Sequence, residues 1–184
     1  MLHSHGLNYH HGGGSGQQQV TCAGVDDNDL FIVRSPKDDD DESCATVAQG
    51  MEIKLIHKLS NLALHSHSGL TAPTSGQQEV TCFQWNEGVH DNDNWRVEYE
   101  GDRFRLIHVA TDHSLHSHSL MFDLGNGDSQ QEVSCFEGRD DNDWWTVEQV
   151  VEEAPVCESD DESDDESDDE SEKLQTFGSG SDDY

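Results

Sequence analysis

Leu64-His65-Ser66-His67, then Gln77-Gln78-Glu79-Val80-Thr81-Cys82, then Asp91-Asn92-Asp93-Asn94-Trp95, is a phrase that this chain writes three times. Downstream it returns as Leu115-His116-Ser117-His118, Gln130-Gln131-Glu132-Val133-Ser134-Cys135 and Asp141-Asn142-Asp143-Trp144-Trp145. Upstream it reads Leu2-His3-Ser4-His5, Gln17-Gln18-Gln19-Val20-Thr21-Cys22 and Asp27-Asn28-Asp29-Leu30-Phe31. Three copies point to a closed three-fold body instead of an open array. An enzyme rarely needs its site in triplicate, so the repeat favours a binding module.

The residues around each phrase alternate with the period of a strand. Ile53 and Leu55 point one way with Lys54 opposite, and Phe104 and Leu106 do the same around Arg105. Trp95 shares a face with Val97, Trp145 with Val147, and Phe31 with Val33. Gly12 to Gly16, Thr74 to Gly76 and Gly125 to Ser129 mark turns. No window keeps a helical period. Four short strands per repeat, three times over, predict an all-β fold, a β-trefoil occupying 1–150. The repeats run over about 1–34, 50–99 and 101–148, with an acidic loop at 35–49. Repeats two and three open with matching strands, Gly50 to His57 and Gly101 to His108; repeat one begins at Met1 without one. The expectation is a chain missing its first strand, with an exposed edge and with any targeting segment lost alongside.

Net charge is −31 and unevenly spread: residues 158–184 carry thirteen acids and one lysine, −12, leaving −19 for the rest. Such a surface repels nucleic-acid phosphates and anionic lipid, and suits basic proteins, divalent cations or neutral ligands. Segment 151–184 is low-complexity, rich in Ser, Asp and Glu, and is expected to be disordered. Ser159, Ser163 and Ser167 each precede Asp-Asp-Glu, a pattern suited to acidophilic kinases that would add further charge. Plain solubility is the competing reading of this tail. No stretch approaches membrane-span length, and neither a secretory signal at Met1 nor a retrieval signal at Tyr184 is visible.

Cys22, Cys82 and Cys135 occupy one repeat position, so three-fold symmetry holds them apart. Each shares strand parity with a valine (Val20, Val80, Val133), which suggests small buried hydrophobes. Cys44 and Cys157 lie outside the phrase and pair or stay free.

The His-Ser-His pairs, including His65 with His67 and His116 with His118, set two imidazoles on one strand face. Two such nitrogens begin a zinc site, but with no third ligand in view structural hydrogen bonding is the stronger reading. Adventitious metal binding by His3, His5, His10 and His11 is the more plausible metal role. The Asp-Asn-Asp clusters, including Asp91, Asn92, Asp141 and Asn142, resemble calcium ligands in composition. They lack the glycine an EF-hand loop requires and read as turns. Gln77, Gln78, Gln130 and Gln131 place paired amides beside those turns. Amides, carboxylates, imidazoles and an aromatic face bind sugar hydroxyls or peptide backbone. Trp144 and Trp85 lack counterparts in the other repeats. No catalytic group stands out: Gly127-Asp128-Ser129 aligns with the ordinary turn Thr74-Ser75-Gly76, and no phosphate-cradling loop is present. No resident metal or cofactor is expected.

The three-part phrase resembles the MIR repeat of protein mannosyltransferases, inositol trisphosphate receptors and ryanodine receptors, found also in the stromal cell-derived factor two proteins. The resemblance covers roughly Met1 to Glu148. Phe104-Arg105-Leu106-Ile107-His108-Val109-Ala110-Thr111 and Asn142-Asp143-Trp144-Trp145 look closest to the luminal domain of protein O-mannosyltransferases. It implies a β-trefoil and, in the mannosyltransferase and stromal-factor branches, residence in the endoplasmic reticulum. It does not imply catalysis, because transferase chemistry belongs to a membrane part absent from this chain. The reading is a non-catalytic module that recognises glycan or polypeptide in protein O-mannosylation or endoplasmic-reticulum quality control. Two alternatives stand beside it: a fragment of a dolichyl-phosphate-mannose protein mannosyltransferase, and an acidic-tail chaperone for basic proteins.

Overall fold

The alternating segments become ten strands, and no α-helix forms among the described residues. The computed structural model describes residues 1–9, 14–36, 46–84 and 91–148. The candidates His10, His11, Cys44, Trp85, Cys157, Ser159, Ser163 and Ser167 lie outside them. Repeat one supplies β1 (Leu2–Asn8), β2 (Gln18–Cys22) and β3 (Phe31–Arg34). Repeat two supplies β4 (Glu52–His57), β5 (Leu62–Thr71), β6 (Gln78–Phe83) and β7 (Trp95–Glu100). Repeat three supplies β8 (Arg103–His108), β9 (Ser114–Asp123) and β10 (Ser129–Phe136). The Asp-Asn-Asp triplets form single 3-10 turns at Asp27–Asp29, Asp91–Asp93 and Asp141–Asp143. Among the described residues no helix is long and apolar enough to cross a membrane.

Strands β2, β6 and β10 pair with one another in a closed ring, and the register repeats. Gln18 faces Cys82, Gln78 faces Cys135, and Gln131 faces Cys22. The alternation of β2, β6 and β10 therefore turns Val20, Val80 and Val133 inward, each 0 % exposed. They pack with Leu64, Leu115, Trp95, Cys82 and Cys135 into one core. The cysteines are small core residues, as their strand parity predicted; Cys22 is half-buried.

The fourth strands differ from expectation. Strand β7 is flanked by β4 and β8, and it buries both Trp95 and Val97. Among the described residues strand β3 pairs with β4 alone, and Val33 is exposed. In repeat three the expected strand shrinks to one bridge, Phe104 with Trp145, and Val147 is 62 % exposed. An apolar residue on an edge has a neighbour on one side only, so the same alternation buries less there. Lys54, assigned by periodicity to the polar face, is buried.

Buried Tyr9 caps the β2–β6 side of the ring. Tyr9, Ala72 and Leu124 hold equivalent places, their N–H groups donating to Gln17 O, Gln77 O and Asp128 O across the turns. The Tyr9 ring lies 5.3 Å from Phe122. Its hydroxyl shares its proton between Val20 O and Val80 O, each at 3.3 Å. The close approach of Gly14 makes room for it: a Cβ there would sit 2.6 Å from Tyr9 Cβ and 2.9 Å from Glu79 Oε2.

Candidate functional site

The polar residues of the phrase meet across repeats. Thr81 Oγ1 donates to Gln17 Oε1 at 2.6 Å, Ser134 Oγ to Gln77 Oε1 at 2.6 Å, and Thr21 Oγ1 to Gln130 Oε1. The second repeat thus holds the first, the third holds the second, and the first holds the third. The neighbouring amides brace the serine of their own repeat, and those of repeats one and two also reach a hydroxyl of the next. Gln78 Nε2 donates to Ser66 Oγ and Thr111 Oγ1, Gln131 Nε2 to Ser117 Oγ, and Gln18 Nε2 to Ser4 Oγ and Ser60 Oγ. Buried carboxylates fasten the turns: Glu132 accepts from Thr74 N and Ser75 N at 2.7 and 2.8 Å, and Glu79 accepts from Ser15 N. Burial pushes the Glu79 carboxyl above its usual range, with the Ser15 hydrogen bonds opposing.

The first histidine of each pair is bound to the third residue of its turn. His3 Nδ1–H donates to Asp29, His65 to Asp93 and His116 to Asp143, at 2.8, 2.7 and 2.9 Å. The second histidine packs beside it, with ring centroids 5.4 Å apart for His65 and His67 and 5.3 Å for His116 and His118. His67 Nδ1 donates to Ser68 O, while His118 Nδ1 accepts from Leu120 N. The turns are built by Asx capping: Asp140 accepts from Asn142 N, and Asp143 accepts from Asp140 N. Asp26 and Asp29 repeat that pattern. Hydrogen bonds from Asn28 hold the Asp26 carboxyl below its usual range.

In repeats one and three the fold brings two carboxylates to the first histidine, making a group of three that the sequence did not show. His3 gathers Asp26 and Asp29, and His116 gathers Asp140 and Asp143. In both, the outer carboxylate stands 3.6 Å from Nδ1. Repeat two makes the same His–Asp bond, and among the described residues no second acid joins it. The bond therefore acts as a brace between strand and turn in every repeat.

Two braces escaped the sequence reading. His57 Nε2–H donates to Asn28 O, and His108 Nε2–H to Asn92 O, both at 3.1 Å. Their Nδ1 atoms accept from Ser60 Oγ and Thr111 Oγ1. Burial lowers the His57 pKa and takes that of His108 down to about 4. The matching positions of the two strands, Gly50 to His57 and Gly101 to His108, carried the signal.

With these bonds assigned, Asp91, Asp141 and Asn142 remain exposed, and Asn92, His67, His118 and Trp144 are half-buried. Trp144 is clasped by two arginines, Arg103 Cζ at 4.6 Å and Arg105 Cζ at 4.2 Å from the ring centroid. Arg103 is paired with Glu100, and Arg105 with Glu98 and the buried Asp143. The i, i+2 spacing of Arg103 and Arg105 was legible in the sequence; their meeting with Trp144 was not.

An all-β body of three equivalent repeats, each braced by His–Asp and Gln–hydroxyl bonds, defines a MIR-domain protein. No family model matches the chain. A stromal cell-derived factor 2-like protein of Arabidopsis thaliana is 35 % identical over 157 residues, covering 81 % of this chain and 72 % of that protein. The chain belongs to the stromal cell-derived factor 2-like family. The crystal structure of such a protein from the same plant superposes with a TM-score of 0.69 at 34 % identity, covering 79 % of this chain and 83 % of that one. The Saccharomyces cerevisiae protein O-mannosyltransferase complex bound to its sugar donor gives 0.67 at 30 % identity, covering 80 % of this chain and 23 % of that one. Human stromal cell-derived factor 2 is 41 % identical, and this chain spans 55 % of its length.

Proposed function

We propose that residues 1–150 form a β-trefoil that acts as a non-catalytic binding module, recognising glycan or polypeptide. The observation that carries this reading is the Trp144 surface. Repeat one has Leu30 at that place and repeat two the buried Asn94, so one repeat of three presents an indole. Two cation–π contacts hold the ring, each contributing about 0.5–1 kcal/mol, and Asp141 and Asn142 stand beside it in the same turn. A fixed indole with an adjacent carboxylate and amide suits sugar hydroxyls and peptide groups.

The test is an NMR titration of the protein with a mannosylated serine/threonine peptide and with its unmodified counterpart. Saturable shifts of the Trp144 indole and of the 141–143 amides are expected, and Trp144→Ala removes them. Shifts confined to other residues, or none with either peptide, overturn the reading. The likeness to the yeast transferase supports the second reading, a piece of a mannosyltransferase. Coverage of 72 % of the plant relative, against 15 % of the yeast mannosyltransferase, supports the first. Ser159, Ser163 and Ser167 belong to this proposal as acidophilic-kinase substrates, with basic proteins as partners of the acidic segment.

A further inference from the structure

The turns between β1 and β2, β5 and β6, and β9 and β10 share one construction. Ser15-Gly16-Gln17, Ser75-Gly76-Gln77 and Asn126-Gly127-Asp128 each place a glycine at positive φ, +77°, +70° and +96°. In each, the first side chain accepts from the backbone N–H two residues on. Ser15 Oγ accepts from Gln17 N at 3.1 Å, Ser75 Oγ from Gln77 N at 3.2 Å and Asn126 Oδ1 from Asp128 N at 2.9 Å. The third turn differs in its chemistry, because a carboxamide stands where the others have a hydroxyl. Asn126 is also the one asparagine of the chain that a glycine follows.

It differs as well in how it is held. Glu79 accepts from Ser15 N, and Glu132 from Thr74 N and Ser75 N, so a buried carboxylate of the next repeat clamps each of the first two turns. For the third turn the corresponding residue is Gln19. Its Nε2 donates to Asn8 O at 2.8 Å, and its Oε1 has no hydrogen-bond partner among the described residues. The third turn is held by its own side chains instead: Asp123 Oδ1 accepts from Gly125 N at 2.8 Å, and Asn126 Oδ1 from Asp128 N. Residues 125–128 are all exposed. Water therefore reaches the Asn126 carboxamide, and residue 127 has no side chain to shield it. A nucleophile adding to Cγ places negative charge on Oδ1, where the Asp128 N–H is already aimed.

We propose that Asn126 is a site of self-modification, selected by this unclamped turn. The Gly127 nitrogen attacks Asn126 Cγ, ammonia departs carrying the proton of that N–H, and a succinimide closes. Water then opens either carbonyl of the ring and leaves aspartate or isoaspartate. Either product adds a carboxylate beside Asp123 and Asp128. Isoaspartate also lengthens the main chain inside the turn that Leu124 N and Asp128 O close at 3.0 Å. The site is separate from Trp144 and stands whether or not that surface binds a ligand.

Incubation of the full chain in heavy-oxygen water at mildly alkaline pH, followed by peptide mapping, tests the proposal. Hydrolysis writes a heavy oxygen into the product, and an isoaspartyl methyltransferase labels the isoaspartate. Ser75→Asn is the internal control, since it sets an asparagine before Gly76 in the turn that Glu132 clamps; its melting temperature checks folding. Heavy oxygen should enter at Asn126 about tenfold or more faster than at position 75 of that variant. Isoaspartate is expected among the products, and Asn126→Gln, whose longer side chain closes the ring poorly, should lose both signals at this turn. Equal rates at the two turns would show that the clamp selects nothing, and overturn the proposal. An Asn126 that stays intact while a free peptide of residues 122–131 reacts would show that the folded turn keeps Gly127 N away from Cγ, and overturns it too. Isoaspartate persisting in Asn126→Gln would trace it to Asp123 or Asp128, against the proposal.

Discussion

Acid should destabilise this protein through His108. The imidazole is fully buried, 5.1 Å from the Trp95 ring, with Nε2–H on Asn92 O and Nδ1 accepting from Thr111 Oγ1. Burial takes its pKa from 6.5 to about 4; His65 and His113 push the same way, and the Asn92 bond and Asp93 oppose. Below 6.5 the unfolded chain takes up a proton that the native state refuses. The stabilisation is therefore complete above pH 6.5, is lost as pH falls towards 4, and changes little below that. The full displacement corresponds to about 3 kcal/mol, and the step from about pH 7.5 to about pH 5 to about 2 kcal/mol. Carboxylates titrate over the same range, so the readout is a difference. Urea unfolding of the wild type and of His108→Gln at the two pH values should show the wild-type advantage shrinking by about 2 kcal/mol on acidification. A gap that stays constant would falsify the assignment of a neutral, proton-refusing His108.

Three further outcomes are expected. Gly14→Ala should cost about 1–3 kcal/mol, because its Cβ meets Tyr9 Cβ at 2.6 Å, whereas Gly24→Ala meets no atom within 4 Å; equal melting temperatures for the two would contradict the Tyr9 packing. Asp143→Ala strips a buried acceptor from His116 and should cost about 2–3 kcal/mol, against about 1 kcal/mol for the exposed cap Asp140→Ala; chemical denaturation of the pair tests the order. Brief alkylation at neutral pH, read by mass spectrometry, should mark half-buried Cys22 well before Cys82 and Cys135, whose thiols burial pushes up to about 12. Equal rates at the three would refute that order.

The repeated phrase by itself determined much of this molecule. Three copies of one pattern settle the count of units, the strand parity of Val20, Val80 and Val133 settles what faces inward, and Asp-Asn-Asp without a loop glycine settles a turn. These are local properties, set by the two-residue period of a strand and by side chains that bond backbone two or three residues away. The candidate site was legible only as a set of residue types. Gln77 and Gln130 read as ligands or as braces; the pairing of β2, β6 and β10 makes them braces, by carrying Gln17 to Thr81, Gln77 to Ser134 and Gln130 to Thr21. For His65 and His116 bracing was the stronger reading from the sequence, but their acceptors, Asp93 and Asp143, are named only by the packing of each strand on its turn. The clasp of Trp144 by Arg103 and Arg105 and the burial of Lys54 likewise exist only once the chain has closed. A strand's period says which face a side chain takes, but its partner across that face is chosen by inter-repeat register, which joins residues more than fifty positions apart.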